Sequence, residues 1–150
     1  MIFDRTQNDV DTAIFLRNTK VKKFEALSES DINYLERGTM TINTLNRIEN
    51  KQEELKNLFN DMGYWNTPIS TRQWAYTDIF KGTQFDRILY NLEILREAFF
   101  VYETTPNMPD NNYRKYQTIN DVEEILHDLD VMINDVKSHY RECGTFESGE

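Results

Sequence analysis

Apolar residues recur in the middle and later parts of the chain in three stretches with one shared beat. Leu45, Ile48, Gln52, Leu55, Phe59 and Met62 are separated by alternating steps of three and four. Phe85, Ile88, Leu92, Leu95, Phe99 and Tyr102 take the same steps. So do Ile119, Val122, Leu126, Leu129, Ile133 and Val136, with Tyr140 one step beyond. An α-helix turns once in about 3.6 residues, so this spacing gathers each set on one face, as in a bundle or coiled-coil seam. Leu58, Leu89, Ile94, Ala98, Ile125 and Met132 flank the seams and widen each stripe toward that of a globular bundle.

Each stretch also opens alike, with Thr44, Thr83 or Thr118 ahead of "LNRI", "FDRI" or "INDV". Threonine is a good N-cap, and an early acid favours the positive end of the helix dipole. The pattern predicts three stacked helices with matched layers. Upstream, Thr6 and Asp9 form a start signal for a helix over 7–23 that buries Val10, Ala13, Ile14 and Val21. Ser28–Asp31 opens a shorter helix through Ile32 and Leu35 to Arg37, with Gly38 placed to cap its C-terminus. The expected architecture is one all-α domain. An N-terminal helical hairpin spans residues 1–40, a three-helix core 41–143 and an extended tail 144–150.

The connections differ from the helices. Residues 63–82 hold Tyr64, Trp65, Trp74, Tyr76 and Phe80 among polar residues and Pro68. These aromatics either cap the end of the bundle or form a contact surface, for which Trp and Tyr are usual anchors. With Phe146 of the tail they are the candidate partner-binding residues. Residues 103–116, with two prolines and an Asn-rich turn, read as an exposed loop.

Composition narrows the functional classes. A 150-residue chain with 39% hydrophobic residues is large enough to bury a core. A net charge of −9 argues against nucleic acid as a partner, because a basic surface is needed to displace counterions. The single cysteine, Cys143, cannot form an internal disulfide, and no apolar run approaches the ~20 residues of a membrane span. The opening "MIFDRTQNDVD" lacks the pattern of a secretion signal. A cytoplasmic origin and no membrane partner are expected.

Candidate chemistry is sparse. Glu124 and His127 make one Glu-x-x-His pair, half of a di-iron bundle signature, without a second copy. His139 and Cys143 lie one helical turn apart without a Gly-rich elbow, so a free thiol is favoured over a nucleophile. Glu53/Glu54 and Glu123/Glu124 read as solvated helix faces, and Lys20–Lys23 as balancing a helix C-terminus. Gln52, alone polar within its seam, either fixes register or turns to the rim, and the rim is favoured. No catalytic residue, cofactor or metal site is expected, and no enzymatic role.

"TINTLNRIENKQEEL", "YTDIFKGTQFDRILYNLEILR" and "YRKYQTINDVEEILHDLD" together resemble small helical proteins, and N-terminal modules, encoded among tail genes of phages and prophages of gut Firmicutes. The opening Asp4–Asp11 and the closing Gly144–Glu150 extend the resemblance over the chain. It implies a structural or adaptor role in a phage tail, tail tip or baseplate, or in a prophage-derived tail-like particle. The implied partners are other particle proteins, in a homo-oligomer or hetero-complex, and the implied location is the virion. A phage-encoded assembly chaperone or cytoplasmic regulatory module is the alternative.

Overall fold

The computed structural model describes residues 1–64 and 68–142, with side chains as far as His139, and these residues are all-α. In chain order they form α1 (Gln7–Leu16), a π-helical turn (Arg17–Val21), α2 (Glu29–Gly38), α3 (Ile42–Asp61), α4 (Gly82–Ala98) and α5 (Tyr116–Glu142). No strand occurs among the described residues. Cys143 and the predicted tail 144–150, with Phe146, lie outside them.

Both N-terminal start signals work as reciprocal caps. Thr6 accepts from the Asp9 N–H while Asp9 Oδ2 accepts the Thr6 N–H at 2.8 Å. Ser28 and Asp31 repeat the exchange at 3.1 and 3.0 Å. The threonine caps predicted for the three long helices are displaced. Thr41 caps α3, accepting the Thr44 N–H at 3.2 Å, and Thr44 is buried in the first turn. Lys81 precedes α4 without a side-chain cap, leaving Thr83 inside the helix. Thr118 sits within α5 and donates to Asp110 at 3.2 Å. A cap needs extended backbone ahead of free N–H groups, and each of these threonines comes after its helix has begun.

The predicted seams supply the core. Leu45, Ile48, Leu55 and Phe59 of α3 are buried, as are Phe85, Ile88, Leu92 and Leu95 of α4. Ile119, Val122, Ile125, Leu126, Leu129 and Ile133 of α5 join them. Helices α3, α4 and α5 each pack against the other two, and each fully buried aliphatic side chain contributes roughly 1.5–3 kcal/mol. The α4 seam stops early. The helix ends at Ala98, Phe99 turns extended with its ring 5.5 Å from Phe59, and Tyr102 is exposed. Gln52 corrects the rim expectation. It is fully buried, donates to the Ile88 carbonyl of α4 at 2.8 Å and accepts from Asn91 at 3.2 Å. Its amide is satisfied across the α3–α4 seam, which removes the main cost of burying it.

Helix α1 packs against α2. Its buried face is Asp9, Ala13 and Leu16, whereas Ile14 and Val21 are exposed, contrary to expectation. The wider turn that begins at Arg17 shifts the helical phase and carries Val21 off the buried stripe. Gly38 is not a left-handed cap. It remains helical, and a Cβ there would stand 2.2 Å from the Asp9 carbonyl oxygen and 2.5 Å from the Ala13 Cβ. Its smallness lets α1 and α2 touch. Among the described residues the left-handed glycine is Gly63 (φ 77°), which closes α3. Residues 103–116 are less exposed than predicted. Thr105 is buried and donates to Asp128 at 2.5 Å, and Met108 and Tyr113 pack on the core.

Candidate docking surface and the charge clamps beneath it

The repeated phrase has a chemical use that its apolar beat does not reveal. Aligned on the seam residues Ile48, Ile88 and Val122, the following positions are Glu49, Leu89 and Glu123, and the preceding ones Arg47, Arg87 and Asp121. Glu123 of α5 receives Arg47 of α3 through two hydrogen bonds, at 3.0 and 2.7 Å. Arg5 adds a bond at 2.8 Å, and the Ile2 N–H also donates to this carboxylate. Glu49 of α3 pairs with Arg87 of α4 through Oε1 and Nη2, a contact of charge and not an aligned hydrogen bond. Its other oxygen accepts from Trp74 Nε1 at 2.7 Å and the Arg72 N–H at 3.2 Å. Thus α3 clamps α5 and α4 clamps α3. At the third equivalent place Leu89 packs on the apolar core instead.

Glu123, expected on a solvated face, has a side chain with no exposed surface. Burial pushes its carboxyl up, but the Arg47 hydrogen bonds, the Ile2 N–H and Arg5 together outweigh burial and hold it below the usual carboxylate range. Burial works against the Arg47 charge, and Glu123 more than restores it. Glu49 and Glu123 each take arginine from a neighbouring helix together with a loop N–H donor, which suits them to fastening helices. Periodicity skipped both acids because they stand one place off the seam.

The candidate partner residues do not form one surface. Trp74 is buried, its indole N–H bonded to Glu49 and its ring 4.2 Å from the Arg72 guanidinium and 5.5 Å from Phe80. It caps the core and offers no ring to a partner, because the Glu49 bond turns it inward. Phe80 is half-buried among Trp74, Phe85 and Tyr113. Tyr64 lies at the other end of α3, edge-on to Phe99 at 5.0 Å. Tyr76 stands 89% exposed. Trp65 and Phe146 fall outside the described residues.

Other exposed apolar side chains lie elsewhere in the chain. Phe15, Phe24 and Ile32 project from the α1–α2 hairpin, and Tyr90 from α4. Among the described residues no group of three or more His, Cys, Asp or Glu is placed to hold a metal, and no helix is long and apolar enough to cross a membrane. His127 is exposed with its ring 5.0 Å from Phe3, and His139 is exposed with Nδ1 2.8 Å from the Asp135 carbonyl. Lys20, read as balancing a helix end, pairs with Asp31 in the first turn of α2 at 2.5 Å.

No family model, no curated protein and no solved structure matches the chain. What the geometry defines is an all-helical protein whose core joins α3, α4 and α5 and whose hairpin turns apolar side chains outward.

Proposed function

We propose that this protein is a structural or adaptor component of a phage tail, tail tip or baseplate, or of a prophage-derived tail-like particle, acting by protein–protein docking and not by catalysis. The architecture behind this reading is a three-helix bundle of α3, α4 and α5 with heptad-like seams and an N-terminal helical pair; the expected tail, 144–150, lies outside the described residues.

The observation that carries it is the placement of polar and apolar groups. Charged groups such as Glu49 and Glu123 are buried and paired, while Phe15, Phe24, Ile32, Tyr76, Ile79 and Phe100 are more than half exposed. Large apolar groups left in water favour association. The end-to-end resemblance to tail-gene proteins supplies the particle context.

The test is mass spectrometry of gradient-purified particles from the encoding strain, quantifying this polypeptide against the major tail protein. Stable, stoichiometric incorporation is the expected result. Absence from particles, with abundant free protein in the same lysate, would overturn the reading in favour of an assembly chaperone or a cytoplasmic regulatory module.

A further inference from the structure

The tip of the α1–α2 hairpin joins features that are individually uncommon. The π turn ends with the Phe24 N–H on the Val21 carbonyl at 3.2 Å and the Glu25 N–H on the Lys20 carbonyl at 2.9 Å. This closure places its central residue in the left-handed region, usually as glycine. Here that residue is phenylalanine, at φ 55° and 96% exposed. Nothing among the described residues buries the ring. Around it stand Arg17, Lys22 and Lys23, exposed and without an ion pair among the described residues. Residues 14–27 carry four cations against one acid, in a chain whose net charge is −9.

The outer face of α4 has the opposite character. Asp86, Tyr90, Glu93 and Glu97 follow one another along it, and the three acids make no ion pair among the described residues. Tyr90 divides two open hollows. One, of about 600 Å³, is floored by Pro68, Ile94 and Ala98 beside Glu97. The other, of about 310 Å³, is bounded by Leu89, Met108 and Pro109 between Asp86 and Glu93. Each volume exceeds that of a phenyl ring.

We infer that the hairpin tip of one copy docks on the α4 face of a second copy, with Phe24 in a hollow beside Tyr90 and Lys22 and Lys23 against Glu93 and Glu97. Charge complementarity selects a second copy as the occupant. The two surfaces differ, so the contact is head-to-tail and each bound pair leaves one tip and one α4 face free. Such contacts propagate into rings or open rows. This names a partner for the docking reading but stands on purified protein alone, so absence from particles and failure to self-associate are separate results.

Sedimentation velocity over a concentration series, at low and high salt, tests it. The wild type is expected to associate in a concentration-dependent, salt-weakened manner. Phe24→Gly, which keeps the backbone closure, should weaken association about tenfold or more while remaining folded by circular dichroism. The double changes Lys22→Glu/Lys23→Glu and Glu93→Lys/Glu97→Lys should each abolish association alone. An equimolar mixture of the two should restore it, because every mixed contact pairs opposite charges. A wild type monomeric at all concentrations, association indifferent to Phe24→Gly, or a mixture that stays monomeric would each overturn the inference. So would tip-dependent binding to anionic phosphatidylglycerol vesicles without self-association, which would assign the tip to a lipid surface.

Discussion

Two helix ends in this molecule close with the same hydrogen bonds and different residues. After α3, Gly63 N–H reaches the Asn60 carbonyl and Tyr64 N–H the Phe59 carbonyl. After the π turn, Phe24 and Glu25 repeat that arrangement on Val21 and Lys20. At the first end a glycine takes the left-handed conformation without strain, and the next aromatic, Tyr64, folds back onto Phe99. At the second a phenylalanine takes it, at a cost of about 1–2 kcal/mol, and its ring points into water. Local rules kept at Gly63 serve the fold. The rule broken at Phe24 has no compensation among the described residues, and the proposed contact with a second copy would supply one.

The same contrast separates the core from the hairpin. The core buries charge in pairs, whereas the hairpin exposes apolar surface. The strongest way to break the core side is Glu123→Ala, which leaves Arg5, Arg47 and the Ile2 N–H without their shared acceptor. Removing one partner of a buried ion pair costs about 3–5 kcal/mol, and urea unfolding at neutral pH should show that loss. Acid sharpens the result. Glu123 titrates lower in the folded state than its ordinary 4.5, so its contribution is complete above that value and fades as pH falls through the folded pKa. Against wild type, Glu123→Gln should therefore be much less stable at pH 7, with the gap narrowing as the pH drops below about 4.5. An unchanged gap would mean that the carboxylate charge is not what holds α3 to α5.

A smaller effect is expected within the hairpin. Gly38→Ala puts a methyl group 2.2 Å from the Asp9 carbonyl oxygen, so backbone must move, at about 1–3 kcal/mol. The loss should be local. Hydrogen exchange is expected to quicken at α1 and α2 amides while α3, α4 and α5 keep their protection, because these three share their own core. Uniform quickening would show that hairpin and core unfold as one unit.

How much of this was legible in the sequence depends on the range of each interaction. The seams could be read because burial repeats along a helix, and nearly every residue from Leu45 to Phe59 and Ile119 to Ile133 at that spacing is buried. The caps at Thr6 and Ser28 were legible because donor and acceptor are three residues apart. Arg47 and Glu123 are 76 residues apart, and no local pattern announces which arginine meets which acid. Gln52 was misjudged for the same reason, since its partners lie on α4. At Trp74 composition showed an aromatic loop, but only the bond to Glu49 decides that the ring faces inward.

The smallest change in stability is the most informative one. Replacing Phe24 with glycine removes the left-handed strain but adds backbone freedom to the unfolded chain, and the two leave a net gain of about 1 kcal/mol. Thermal unfolding of a dilute, unassociated sample should therefore show a slightly higher midpoint than wild type. Phe24→Ala separates the ring from the strain, because alanine keeps a Cβ at φ 55° while losing the phenyl group. It should weaken self-association as glycine does, without the gain in stability. A glycine variant less stable than wild type would show that the phenyl ring supports the hairpin from within. A more stable variant that no longer associates would show a residue kept at the expense of its own subunit for the sake of the next.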